Sequence, residues 1–352
     1  MSPAKISDKE PLMKIGVVAD VQHADIENNY NYHKTFMRFY RHAIEKFKEV
    51  VNVWNESKVD FSIQLGDVVD GLSLEHGCRD NDMQSLNNVI QQFKSTGLPV
   101  KRTSSGVYTT LDEDAPEEEK TPYMCHLWGN HEFYNYTRAE LWKSELNSYV
   151  VAPDATTSSL DELDDKQLNA DFGYYYSFVH KGFRFLALDP YDIGKISRAD
   201  GCDLHTKAIN SLEKEKKEKK RPQIVSWNGA LSNAQLTWFH NELAAASQVG
   251  EKVIILSHVP LETRASRLKS TIWNSSEIVR MINCFDCVVA CLAGHFHEGG
   301  YYHDEKNQVH YLTFQGVIER DPATNAFAVL ELYNDHIKVN GYGKIKNRIL
   351  KF

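Results

Sequence analysis

Six short apolar runs in this chain each stop at a Gly, Asp, Asn, Ser or His step, and this pattern limits the possible folds more than any other feature. Lys14 to Ala19 stops at Asp20, Val59 to Leu65 at Gly66-Asp67, and Met124 to Trp128 at Gly129-Asn130-His131. Phe183 to Leu188 stops at Asp189, Lys252 to Leu256 at Ser257-His258, and Cys287 to Leu292 just before Gly294-His295. The runs are nearly continuous rather than alternating, as expected of strands covered on both faces. Helical patterns lie between some of them. Residues Tyr40 to Ser57 place Ile44, Phe47, Val51 and Trp54 on one face at 3.6-residue spacing. Residues Ser232 to Ala246 open on a capping box, Ser232 with Gln235 three positions later. Strands alternating with helices predict an α/β architecture.

No Gly-, Pro- or Ser-rich linker divides the 352 residues and no internal repeat is evident, so a single domain over 1–352 is expected. Two stretches, about 71–121 and 152–171, read as surface excursions from strand ends, placed to cover a site. The formal net charge of -8 argues against nucleic acid as a partner, and the mixed Lys/Glu run from Lys214 to Arg221 reads as a solvated helix face. No run approaches the ~18 apolar residues of a membrane helix, and Met1 to Pro11 is too polar for a secretory leader. The six cysteines are scattered rather than framed for disulfides. Cys284 and Cys287 have CxxC spacing but no second pair to complete a zinc site, so packing is their expected role. A cytoplasmic protein without a membrane partner is expected, with a monomer as the default.

The strand ends carry Asp20-Val21-Gln22, Gly66-Asp67, Gly129-Asn130-His131-Glu132, His258 and Gly294-His295-Phe296-His297. In open α/β sheets ligands bind beyond the carboxyl ends of strands. Any one of these steps alone is most simply a turn or a solvated histidine. On an extended segment, residues two apart point the same way, which would set His295 beside His297 and Asp20 beside Gln22. Together, in this order, the oxygen and imidazole donors predict a metal centre.

The set resembles the calcineurin-like metallophosphoesterase superfamily, whose pattern is D-x-H, G-D, G-N-H-E/D, H and G-H-x-H, over the span Asp20 to His297. The resemblance implies a four-layer α/β/β/α sandwich of two mixed sheets flanked by helices. It also implies two divalent metals and attack on phosphorus by a hydroxide between them. Carried over position by position, Asp20 and His297 bind the first metal, with Gln22 where the family usually has His. Asp67 bridges both metals. Asn130, His258 and His295 bind the second, and His131 donates a proton or hydrogen bond beside them. Gln22 is the departure. Its amide oxygen is harder than an imidazole nitrogen, which favours Mn or Mg over Zn. The rival donor, His23, would point away from Asp20 on an extended segment.

Further stretches sharpen the resemblance. Asp20 to Asp25, Tyr40-Arg41-His42, Leu188 to Asp192, Trp227 to Ala230 and Gly294 to Gly300 are similar to the manganese-dependent ADP-ribose/CDP-alcohol diphosphatases. That implies hydrolysis of small-molecule nucleoside diphosphate conjugates. ADP-ribose would yield AMP and a phosphorylated sugar, and CDP-choline would yield CMP and phosphocholine. The alternative on the same site is a phosphomonoesterase or cyclic-nucleotide phosphodiesterase. A scaffold that has lost catalysis would be expected to lack Asp67 or His131, and both are present. Of the aromatic and polar residues near the motifs, Tyr32, Tyr191 and Asn274 are the expected substrate contacts. Arg41 and His42 fall on the predicted helix, where packing or surface roles compete with phosphate binding.

Overall fold

The apolar runs form the parallel centres of two mixed sheets. In the computed structural model the described residues are 10–31, 33–96, 100–102, 108–110, 124–148 and 163–352. The first sheet runs, edge to edge, Arg348–Lys351, His336–Gly343, Ala326–Leu332, Met13–Val18, Phe61–Gln64 and Met124–His126. Its last three strands are parallel, with Ile15 opposite Phe61 and Ile63 opposite Cys125. The second runs Gly300–Asp304, Val309–Thr313, Val288–Ala293, Lys252–Ser257, Phe183–Ala187 and Tyr176–His180, with four parallel strands inside two antiparallel edges.

The two sheets pack face to face through aromatic side chains. The Phe61 ring meets Phe178 and Phe185 edge-on, at centroid distances of 5.4 and 5.2 Å. The Tyr176 hydroxyl donates to the His126 carbonyl across the layers. The helix Tyr40–Ser57 covers the outer face of the first sheet. Its Trp54 indole lies so close over Gly16 that a Cβ there would overlap it, and Nε1 donates to the Ala328 carbonyl. The helix Asn233–Val249 packs on Lys252–Ser257 and Phe183–Ala187 of the second sheet. The result is the helix/sheet/sheet/helix sandwich that the resemblance implied.

The predicted strands and helices are present, with ends shifted by one to three residues. Two local readings change. The stretch 71–121 is not all surface. Its helix Arg79–Ile90 buries Met83, Leu86, Val89 and Ile90, and Phe93 beyond it meets Trp54 edge-on. This apolar stripe is diluted by Asn, Gln and Asp, which is why it reads as polar. The rest of that stretch from 97 on, apart from the short pairing of Val100–Arg102 with Tyr108–Thr110, lies outside the described residues, as does 149–162. The capping box is only half formed. Ser232 Oγ accepts from the Gln235 N–H, but the Gln235 amide instead ties down Asp189 and Asp192, and the Ser232 N–H goes to Asp192. Cys284 is exposed, Cys287 is buried, and no disulfide joins any of the six cysteines, all of which lie in the described residues. No described helix is long and apolar enough to cross a membrane.

Candidate metal centre

Four of the motif residues leave their strands through left-handed turns. Asp20, Gln22, Asp67 and His295 have φ of 52°, 46°, 57° and 66°. A side chain in this region costs of order 1–3 kcal/mol per residue, a strain that concentrates at functional sites. The turns bring side chains from both sheets to one place. The extended-segment picture was therefore wrong in its premise, although Gln22 does line the central cavity. His23 faces away: its Nδ1 meets the Tyr40 carbonyl at 3.2 Å and its Nε2 approaches Asp82. The glycines of the motifs also have a packing reason. A Cβ on Gly129 would collide with Asp67 Oδ1 and the His258 ring, so only glycine lets these two strand ends close.

The three expected histidine ligands are oriented in the same manner. His258 Nδ1 lies 2.7 Å from the Leu65 carbonyl, which can only accept, so the ring proton sits on Nδ1 and Nε2 faces Asp67 Oδ2 at 3.3 Å. His297 turns Nδ1 to Glu319 at 3.1 Å and Nε2 to Asp20 at 3.2 Å. His295 turns Nε2 to Asn228 Oδ1 at 2.8 Å; the Asn228 amide nitrogen is spent on the carbonyls of Gln223, Lys269 and Thr271, which fixes its oxygen toward the ring. Each imidazole thus gives its outer N–H to an oxygen and keeps its inner nitrogen for the centre, the orientation typical of metal-ligating histidine. An imidazole lone pair facing a carboxylate needs a cation between them, either a proton or a metal.

Asp67 stands where the two halves meet. It accepts from the His131 backbone N–H at 2.8 Å and from Gln22 Nε2 at 3.1 Å, and with His258 and His295 its donor atoms lie within 4.8 Å. Gln22 Nε2 also lies 3.0 Å from His297 Nε2, while Gln22 Oε1 is buried with no hydrogen-bond partner. An orphaned amide oxygen, two carboxylates and three inward nitrogens fit a pair of divalent cations. Glu132 accepts the backbone N–H groups of Asp67, Val68 and Gly129 at 2.6–2.8 Å and so pins two motif turns together. Burial and the Asp67 carboxylate push Glu132 up to about 7, against the pull of those N–H groups.

The expected substrate contacts fare differently. Tyr191 is fully buried, and its hydroxyl lies 3.1 Å from Asn130 Oδ1 and 3.2 Å from the Trp227 carbonyl, so it supports Asn130 rather than lining the cavity. Asn274 exchanges two hydrogen bonds with the Leu231 backbone and does not line the cavity either. Tyr32 lies outside the described residues. Arg41 is exposed and paired with Asp25 and Glu27 on the surface. The cavity holds about 500 Å³ above the centre, and Phe36, Arg38, Tyr134, Trp227, Arg267 and Phe296 are among its walls. Glu319, Asn228 and Asp70 escaped the sequence reading because each acts on a motif residue distant in sequence. Asn228, within the Trp227 to Ala230 stretch, had the only available signal.

The family model described as calcineurin-like phosphoesterase matches residues 13–299. The chain belongs to the calcineurin-like phosphoesterase family. Among curated relatives, a Xenopus tropicalis protein named manganese-dependent ADP-ribose/CDP-alcohol diphosphatase is 33% identical, covering 98% of this chain and 95% of its own. A Homo sapiens protein of the same name is 30% identical, covering 100% and 96%. The crystal structure of a dimetal phosphatase from Danio rerio superposes with a TM-score of 0.80 at 28% identity, over 97% of this chain and 100% of that one.

Protonation of this phosphoesterase centre opposes metal loading. Burial disfavours charge on His258, yet Asp67 overrides it and lifts the ring to about 9. Burial likewise opposes charge on His297, and Asp20 with Glu319 lifts it to about 9. Burial and the neighbouring His258 hold His295 well below its ordinary range. In chelator-treated protein, protons on His258 and His297 stand where cations would bind. Both groups are raised above the unfolded value of 6.5, so their stabilising contribution is full below that pH and is lost as pH rises through about 9. The expected result is that chelated protein loses thermal stability from pH 6.5 to 9, while Mn affinity climbs across the same window with proton release. Calorimetric titration in buffers of different ionisation enthalpy reads this directly. A pH-independent affinity without proton release would show that these rings are neutral before metal arrives.

Proposed function

We propose that this chain is a manganese-dependent diphosphatase that hydrolyses ADP-ribose and CDP-alcohols such as CDP-choline, releasing AMP or CMP and a phosphorylated sugar or alcohol. The observation that carries the reading is the end-to-end similarity to curated relatives of that name, in a chain whose Gln22 turns its amide into the centre. In this reading Asp20, Gln22 and His297 would hold one cation and Asn130, His258 and His295 the other, with Asp67 placed between the two sets. Gln22 presents Oε1, the atom left without a partner, by rotating its amide. Oxygen donors beside imidazoles suit manganese.

Divalent cations, when bound there, would neutralise phosphoryl oxygens and raise the acidity of water. The rest of the work belongs to side chains. His131 Nδ1 lies 2.7 Å from the Gly71 N–H and 3.2 Å from Asp70 Oδ2. The first contact suits the neutral ring and the second the imidazolium, and in either state Nε2 carries a proton. Nε2 lies 3.9 Å from Asp67 on the cavity wall, where it donates to a phosphoryl or leaving oxygen. Phe36, Tyr134 and Trp227 offer ring faces to a nucleobase. Six cysteines without a disulfide among them suit a reducing, cytoplasmic setting.

The decisive experiment offers ADP-ribose, CDP-choline, a cyclic nucleotide and a phosphomonoester in parallel, each with Mn, Mg or Zn. The expected outcome is release of AMP and CMP at the highest kcat/KM, with Mn the best metal. Preference for the cyclic nucleotide or the phosphomonoester would overturn the reading in favour of the other esterases of the family.

A further inference from the structure

The cavity walls contain two guanidinium groups among the described residues, and they differ in availability. Arg38 is neutralised on both sides, 3.5 Å from Asp70 and 3.7 Å from Glu319. Arg267 is exposed at the wall and has no carboxylate partner among the described residues. Three contacts nevertheless set its direction. Its Nε donates to Ser270 Oγ at 3.2 Å, and Ser270 is itself buried. Its backbone carbonyl accepts from Thr271 Oγ1 at 3.0 Å. Its Cζ stands 5.4 Å over the ring of Phe296, the residue between His295 and His297. The guanidinium is therefore tethered one ring away from the expected metal ligands, with both terminal nitrogens unspent. That is the fork which pairs with a phosphoryl group through two parallel hydrogen bonds.

A diphosphate brings two phosphoryl groups and only one can be attacked. Resting on the proposed diphosphatase reading, we infer that Arg267 binds the other one, the leaving phosphoryl group. The charge balance favours this position. The water oxygen forms a bond to the attacked phosphorus while the bond from that phosphorus to the bridging oxygen breaks. The electron pair stays on the bridging oxygen, the water protons pass to solvent, and the leaving phosphate gains one negative charge. A cation fixed beside that group meets more charge in the transition state than in the ground state, so it lowers the barrier as well as binding substrate. Arg38, already facing two carboxylates, has less to offer there. Arg267 also gives the enzyme a reason to prefer a phosphate over an alcohol as leaving group, which the metal ligands alone do not.

The test compares wild type, Arg267→Ala and Arg267→Lys as Mn-loaded enzymes. CDP-choline and ADP-ribose are the diphosphates, and the p-nitrophenyl ester of thymidine 5′-monophosphate is the reference with one phosphoryl group and no leaving phosphate. Arg267→Ala is expected to lose roughly 10- to 100-fold in kcat/KM on the diphosphates, the scale of a charge-assisted hydrogen bond. That loss should exceed the loss on the nitrophenyl ester by at least ten-fold, appear largely in kcat, and be partly restored by lysine. Equal losses on both kinds of substrate, or full diphosphate turnover in Arg267→Ala, would overturn the inference while the diphosphatase reading stands. Wild type that cleaves the nitrophenyl ester but neither diphosphate would instead overturn that reading, and this one with it.

Discussion

Exchanging Asp67 for asparagine is expected to lower Mn-dependent turnover by about 10²- to 10⁴-fold and to deplete the protein of bound metal. The substitution keeps the shape but removes the charge at the point where both halves of the centre meet. Asp67 is buried; one of its oxygens accepts the His131 backbone N–H, and the other accepts from Gln22 and faces the inward nitrogen of His258. An asparagine must turn its NH2 toward one of these donors, or toward the cation. Removing one partner from a buried charge pair costs about 3–5 kcal/mol, which converts to the stated range. The side chains that flank it are pinned independently, His258 by Leu65 and the turn itself by Glu132. The variant should therefore fold. Metal analysis after gel filtration, turnover at saturating Mn, and circular dichroism separate the possibilities. A folded Asp67→Asn protein with two bound Mn and near-normal turnover would remove Asp67 from the bridging role.

What could be read from the sequence was whatever is local in the chain. A buried parallel strand announces itself as an apolar run, and its end as Asp, Asn or His; Lys252–Ser257 followed by His258 shows both. The helix Tyr40–Ser57 was legible because its stripe is intact, whereas Arg79–Ile90 was not because polar residues interrupt it. The site's long-range partners had no local signature. Glu319 reaches His297 and Asn228 reaches His295 across 22 and 67 positions, and only the parallel pairing of the second sheet's strands brings their connections together. Turn chirality was also hidden. Asp20, Gln22 and His295 are left-handed, a state that glycine would have advertised but Asp, Gln and His do not. The choice of Gln22 over His23 was right while its extended-chain reason was not. The aromatic candidates show a related limit. Tyr191 and Trp227 both lie near motifs, but only the fold decides that Tyr191 goes beneath Asn130 and Trp227 goes to the wall.

Loss of the His131 imidazole is expected to leave metal content intact and to cut turnover by about 10²- to 10³-fold, the usual consequence of removing one donor aimed at developing charge. The separation between metal and turnover follows from the geometry. His131 hydrogen-bonds to the centre through its backbone N–H on Asp67, a contact that alanine preserves, while its ring is anchored through Nδ1 on Gly71 and Asp70 and comes no nearer to Asp67 than 3.9 Å. Alanine in the first turn of the helix Asn130–Asn135 keeps the helical backbone, and Asn135 continues to tie the turn to the Asp70 carbonyl. The loss should also depend on the leaving group. An alkoxide or phosphate departing from phosphorus needs a hydrogen bond at its oxygen; a nitrophenolate, whose charge is delocalised, needs less. His131→Ala should therefore lose more on CDP-choline than on the p-nitrophenyl ester of thymidine 5′-monophosphate, with two Mn retained in both assays. Equal losses would move the donor's target from the leaving oxygen to a phosphoryl oxygen common to both substrates. Unchanged turnover on both would leave the ring without a chemical role, and its contacts with Gly71 and Asp70 would then be purely structural.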